Sequence, residues 1–141
     1  MVNKYRYHVD MTAPAEDEIF VFGSNQAGIH GAGAARYALN ELGAKWGYGV
    51  GTTGRCYAIP TKDYNINSLS LEEIVFYVDM FVGHAASTPD KKYFVTRVGC
   101  GLAGFKDSEI APMFKNAPEN CNLPQEWREY LTKEEIDDTM D

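Results

Sequence analysis

Apolar positions along this chain alternate between two periodicities, and the alternation itself predicts the architecture. From Glu18 to Phe22 the residues Ile19, Phe20, Val21 and Phe22 form a continuous apolar run, the pattern of a strand buried on both faces. It runs straight into the turn cluster Gly23-Ser24-Asn25. Beyond it, Ala34, Ala35, Ala38, Leu39 and Leu42 recur at helical spacing, with Gly43 placed to end the helix. The small residues at its start let that helix approach a sheet closely. A second strand is predicted from Cys56 to Ile59, stopping at Pro60, after an irregular glycine-rich stretch, GYGVGTTGR.

The strongest helical pattern covers about Leu71 to Ala86. Leu71, Ile74, Val75, Val78, Val82 and Ala85 make one apolar stripe, and Ser70 with Glu73 has capping-box spacing. Thr88-Pro89-Asp90 turns the chain into a third strand, Tyr93 to Val98, which enters a second glycine-rich loop, Gly99 to Gly104. A short helix from about Ser108 to Lys115 tolerates Pro112 near its start. Strand, helix, strand, helix, strand, helix predicts an α/β fold with a parallel or mixed sheet between helices. Residues 1–141 are expected to form a single domain. From about Ala117 onward the chain is acidic, and Leu123, Trp127, Tyr130 and Leu131 are candidates to dock a last segment on the core.

Composition narrows the function classes. The net charge of −7 argues against non-specific nucleic-acid binding, although one polynucleotide end could still enter a pocket. No apolar run approaches the roughly 20 residues of a membrane span, and the opening MVNKYRYHVD lacks the apolar core of a signal peptide. A cytoplasmic protein without membrane partners is the expectation. Cys56, Cys100 and Cys121 have no metal-type spacing, and His8, His30 and His84 form no cluster with them, so a structural metal is not expected; no cofactor is expected either.

Glycine is the most unevenly distributed residue. Nine of the 13 glycines lie between Gly23 and Gly54, and Gly99, Gly101 and Gly104 form the second group. Glycine lets the main chain approach a ligand and turn its N–H groups toward an anion. Tight turning explains either loop alone. Both loops leave the carboxyl ends of strands, where open α/β sheets bind ligands, so the pair should converge on one phosphate-bearing ligand. The first loop is not a Walker motif, since no Gly-Lys-Ser/Thr follows, nor is Gly28-Ile29-His30-Gly31-Ala32-Gly33 a clean dinucleotide fingerprint.

Three blocks add a resemblance. N-Q-A-G-I-H-G-A-G-A-A, from Asn25 to Ala35, resembles the asparagine-plus-glycine loop of macrodomains, which bind ADP-ribose. A-I-P-T-K-D, from Ala58 to Asp63, is similar to a segment of the branch containing lysine-dependent ADP-ribosylglycohydrolases, including a DNA-directed antitoxin type. V-G-C-G-L-A-G-F, from Val98 to Phe105, resembles that branch's second ligand loop. The blocks occur in family order over about residues 18 to 116, leaving both ends of the chain uncovered.

The resemblance implies a macrodomain-like, three-layer α/β/α sandwich with a mixed, mostly parallel sheet. It sets Asn25 against the distal ribose and Gly31 and Gly33 against the diphosphate; Gly28 belongs to the same ligand loop, and His30 within it either donates to a phosphate or takes no part. Gly99, Cys100, Gly101, Leu102, Gly104 and Phe105 would form the second loop, with Lys62 the catalytic lysine. The implied ligand is ADP-ribose or an ADP-ribosylated substrate. An amine can attack the anomeric carbon, or an ammonium can polarise the leaving oxygen. Ala103 stands where some members carry an acid, and Asp63 is the nearest substitute unless it caps a turn. Cys100 has no evident histidine partner and is not expected to be a nucleophile. A binding module without turnover, acting as a reader or a sponge, is the competing reading, and a nucleotide-sugar or NAD-processing fold with superficially similar loops is a third.

Overall fold

The computed structural model describes residues 5–131. Strands β1 (Arg6–His8), β2 (Glu18–Asn25), β3 (Gly51–Thr53), β4 (Cys56–Lys62), β5 (Lys92–Val95) and β6 (Cys121–Pro124) form one sheet in the order β1-β6-β5-β2-β4-β3. Every pairing is parallel except β3 with β4. Helices α1 (Gly33–Glu41), α2 (Leu71–Ser87) and α3 (Asp107–Ile110) complete the regular structure, with 3-10 turns at Ala111–Phe114 and Gln125–Trp127. The fold is therefore α/β with a mixed, mostly parallel sheet. Among the described residues, no helix is long and apolar enough to cross a membrane.

The apolar run of β2 is explained by its place between β4 and β5. Its side chains alternate between two apolar clusters. Phe20 and Phe22 join Ala35, Ala38 and Leu42 of the first helical segment, together with Cys56, Ala58 and Phe94. Val21 points the other way, into a cluster with Tyr57, Ile59, Tyr93 and Val95 from the strands and Ile74, Val78, Phe81 and Ala85 from α2. The alanines of α1 meet phenylalanines of the sheet, so small-on-large packing brings that helix close.

Helix boundaries follow local chemistry. At the start of α2, Glu73 N–H donates to Ser70 Oγ at 3.2 Å and Ser70 N–H donates to Glu73 Oε1 at 3.1 Å, the reciprocal capping box. Phe81 completes the buried stripe, whereas Val75 faces outward. Gly43, with φ 83°, reverses the chain after α1, and the Ala44 N–H returns to the Ala38 carbonyl.

The expected boundaries shift in several places. β4 continues through Pro60 to Lys62, because the β3 ladder ends at Ala58 and Pro60 lies where that edge is open. β5 stops at Val95: Thr96 N–H still reaches the Val21 carbonyl, but Val98 N–H turns back to Thr96. The helix expected at Ser108–Lys115 instead begins at Asp107 and tightens to a 3-10 turn at Ala111, where Pro112 supplies no N–H. Strands β1, β3 and β6 have three or four residues each, too few for a pattern to emerge.

The carboxyl segment docks as expected: Leu123, Trp127 and Leu131 are buried, and β6 inserts between β1 and β5. The acidic stretch beyond Leu131 lies outside the described residues. Trp127 packs on Phe114 with ring centroids 4.8 Å apart, and its indole N–H donates to Asp107 Oδ1 at 2.8 Å. Trp127→Ala removes both contacts from a fully buried site, so a loss of about 3–5 kcal/mol is expected. Urea unfolding at neutral pH should show a much lower midpoint, and an unchanged midpoint would contradict this packing.

Candidate functional site

The chain leaves β2, β4 and β5 at the same edge of the sheet, and the exits surround a cleft of about 760 Å³. At its floor the two glycine-rich segments nearly touch: a Cβ added to Gly23 would lie 3.3 Å from the Gly99 nitrogen. Higher up, a Cβ at Gly33 would lie 3.9 Å from Leu102 Cδ1. The loops therefore converge, as their position after strands predicts.

Asn25 organises the first loop. Its Oδ1 accepts from the Ile29 N–H at 2.9 Å, and its Nδ2 donates to the Ile29 carbonyl at 2.8 Å. The amide thus clasps its own loop while the residue lines the cleft. Gly28 is structural: with φ 71°, a Cβ there would fall 2.3 Å from the Gly47 carbonyl carbon, and its carbonyl accepts from Gly47 N–H at 2.8 Å. His30 is also turned away from the cleft. It is fully buried edge-on to Phe22, with Nε2 3.1 Å from the Lys45 carbonyl and 3.2 Å from that of Tyr48. Two carbonyl partners require Nε2 to carry the proton, so His30 ties two loops together and does not face a phosphate.

The loop then enters α1 through Gly31, Ala32, Gly33, Ala34 and Ala35, all lining the cleft. A helix leaves its first N–H groups without intrahelical partners. Here Ala32 at the N-cap has no side chain to accept from them, and the first turn carries no acidic residue. The helix start thus presents uncapped N–H groups and the positive end of its dipole. Nothing lies within 4 Å of the space a Gly31 side chain would fill.

From the second loop, Gly99, Cys100, Gly101, Leu102 and Ala103 line the cleft. Gly104 (φ 83°) makes the turn behind it, its N–H bonded to the Gly101 carbonyl at 3.0 Å. Phe105 packs under Gly99 and against the α2-side core, away from the cleft. Burial pushes the Cys100 thiol up to about 12, with Asp107 adding to the effect. It therefore stays protonated, unlike a reactive thiolate.

Lys62 lines the cleft at the end of β4 and forms no ion pair among the described residues. Its neighbour Asp63 is committed to a turn, Oδ1 accepting from the N–H groups of Asn65 at 2.8 Å and Asn67 at 3.0 Å. Asp10 is the carboxylate that lines the cleft, and Arg97 holds it at 3.2 Å.

Several lining residues escaped the sequence reading. His8 stacks on Phe94 with centroids 3.8 Å apart, and its Nε2 lies 2.7 Å from the Val95 carbonyl. Phe20, Tyr37 and Phe94 add an aromatic end to the cleft. The arm from Asp10 to Ala13 borders it too. Such an arm has no periodicity to mark it. Among the described residues, no group of three or more His, Cys, Asp or Glu side chains is placed to hold a metal ion.

Arg97 connects the cleft to the core beneath. Its Nε and Nη2 donate to Asp107 at 3.1 and 2.5 Å, and Asp107 also accepts from Trp127. The Arg97 hydrogen bond holds the Asp107 carboxyl below its usual range, and the same pairing raises Arg97 above its own. No protein-family model, curated protein or solved structure matches this chain.

A lowered carboxyl pKa contributes stability that is present above the ordinary value of about 4 and is lost as pH falls through the lowered one. Asp107→Asn should therefore unfold at lower urea than wild type at pH 7, with the gap narrowing as the pH drops below about 4. A gap independent of pH would show that Asp107 contributes no charge.

Proposed function

We propose that the chain binds ADP-ribose in this cleft and hydrolyses ADP-ribosyl linkages with Lys62, in a macrodomain-like α/β/α sandwich. The observation that carries the reading is the uncapped start of α1, roofed by Leu102 of the second glycine loop, between an aromatic end and a lysine. A diphosphate suits the α1 N–H groups, since these donate to an anion without first losing a side-chain cap. An adenine suits the end formed by Phe20, Tyr37, Phe94 and His8. β5 and β4 stand on either side of β2, so their exits are two strand spacings apart, about 10 Å. The distal ribose would then extend toward Lys62.

Chemistry at that ribose follows from the amine. In one route Lys62 Nζ attacks the anomeric carbon as a free amine, the bond to the leaving oxygen or nitrogen breaks, and the departing group takes the proton that the attacking nitrogen gives up. Water then releases the sugar and restores the lysine. Alternatively, the ammonium polarises the leaving atom while water attacks. Both routes need Lys62.

A second reading, retention of ADP-ribose without turnover, is favoured by the carboxylates. Asp63 is held in its turn and Asp10 is paired with Arg97, so both of these carboxylates are already engaged. Lys62→Ala separates the two. Assayed on ADP-ribosylated protein and ADP-ribosylated DNA, the hydrolase reading predicts release by wild type and at least a ~100-fold loss in the variant, with ADP-ribose affinity changed less than about threefold. Release at the wild-type rate by Lys62→Ala would refute the lysine mechanism. Binding without release by wild type would establish the retention reading.

A further inference from the structure

Ile66 occupies a position that neither backbone preference nor solvation favours. It lies four residues beyond Lys62 with φ 65°, in the left-handed region that is costly for a β-branched residue and cheap for Gly or Asn. Among the described residues only Met11 shares this condition without being glycine. The surrounding turn does not require isoleucine. Asp63 holds it through the N–H groups of Asn65 and Asn67, and Asp63 N–H donates to the Asn67 carbonyl at 2.8 Å. Ile66 is 41% exposed and belongs to neither core cluster.

The side chain nevertheless has a defined place. Ile66 lines the cleft beside Lys62, and a bridge between Lys62 and Ser68 closes the turn that carries it. Ser68 Oγ donates to the Ala103 carbonyl at 2.9 Å, tying this turn to the second glycine loop. A strained apolar residue, exposed to water yet fixed at the edge of a cleft, is accounted for by what it covers when the cleft is filled.

We propose that Ile66 is a specificity-determining residue that packs on the distal ribose of the ligand and so separates ADP-ribose from ADP. The inference rests on the ADP-ribose reading of the cleft. A ribose presents C–H surface between its hydroxyls, and an aliphatic side chain covers that surface without competing for the hydroxyl hydrogen bonds. ADP keeps the base and the diphosphate but lacks the sugar at the Lys62 end, so it does not reach Ile66.

The test combines calorimetric titration of ADP-ribose and of ADP with urea unfolding, using wild type, Ile66→Asn and Ile66→Leu. Ile66→Asn removes the apolar contact and relieves the backbone. It should weaken ADP-ribose about tenfold, leave ADP within about twofold, and raise the urea midpoint. Ile66→Leu keeps an aliphatic group and should hold ADP-ribose within about twofold of wild type. Opposite signs for stability and affinity are not expected of a merely structural residue. Wild-type affinity for ADP-ribose in Ile66→Asn overturns the inference and leaves the cleft reading standing. So does equal weakening of both ligands, or a lower urea midpoint. Failure of wild type to bind ADP-ribose overturns the cleft reading and the inference with it.

Discussion

β2 is hydrogen-bonded along both edges and packed on both faces, and that double burial decides where everything else can go. A strand so enclosed can give its chain back to solvent only at its ends. Its carboxyl end must also release the chain beside the exits of β4 and β5, which share its direction. Three segments then crowd one edge, with little room for side chains. Glycine at Gly23 and Gly99 meets that restriction, since a Cβ at Gly23 would press on the Gly99 backbone. The cleft follows from parallel strands ending together, and its N–H-rich wall follows from α1 starting there without a cap.

The same edge is joined to the opposite cluster by polar groups. Asp107 receives hydrogen bonds from Arg97 at the cleft and from Trp127 in the core. Arg97 reaches on to Asp10 in the amino-terminal arm. The amino-terminal arm is fixed a second time at Tyr5, whose hydroxyl donates to the Ala117 carbonyl at 2.8 Å. Segments remote in sequence thus hold the cleft wall that neither glycine loop forms. Partly exposed charged groups paired on several sides are well suited to this, because each bond fixes an angle as well as a distance.

Most of the fold was legible in the sequence where the pattern is long. The run at Ile19–Phe22 and the Ser70–Glu73 box each state a local rule that the structure obeys. Strands β1, β3 and β6 state none, since runs of three or four residues depend on their neighbours for their conformation. Of the expected site residues, Asn25, Lys62, Gly31, Gly33, Gly99, Cys100, Gly101 and Leu102 are brought to one cleft. His30, Gly28, Gly104 and Phe105 serve the loops from behind. A motif gives residue order, not the direction a side chain takes, and Asn25 and His30 both turn toward carbonyls of the protein itself. The aromatic end of the cleft was hidden for a different reason: Phe20 and Phe94 look like core residues because they are core residues that also border the cleft.

On the proposed reading, the uncapped start of α1 and the second glycine loop hold a diphosphate between them. Backbone amide NMR during titration with ADP-ribose tests it most directly. Saturable shifts concentrated at Gly33, Ala34, Ala35, Gly101 and Leu102 are expected, with residues of α2 unmoved. Shifts absent at millimolar ADP-ribose, or centred on α2, would contradict it.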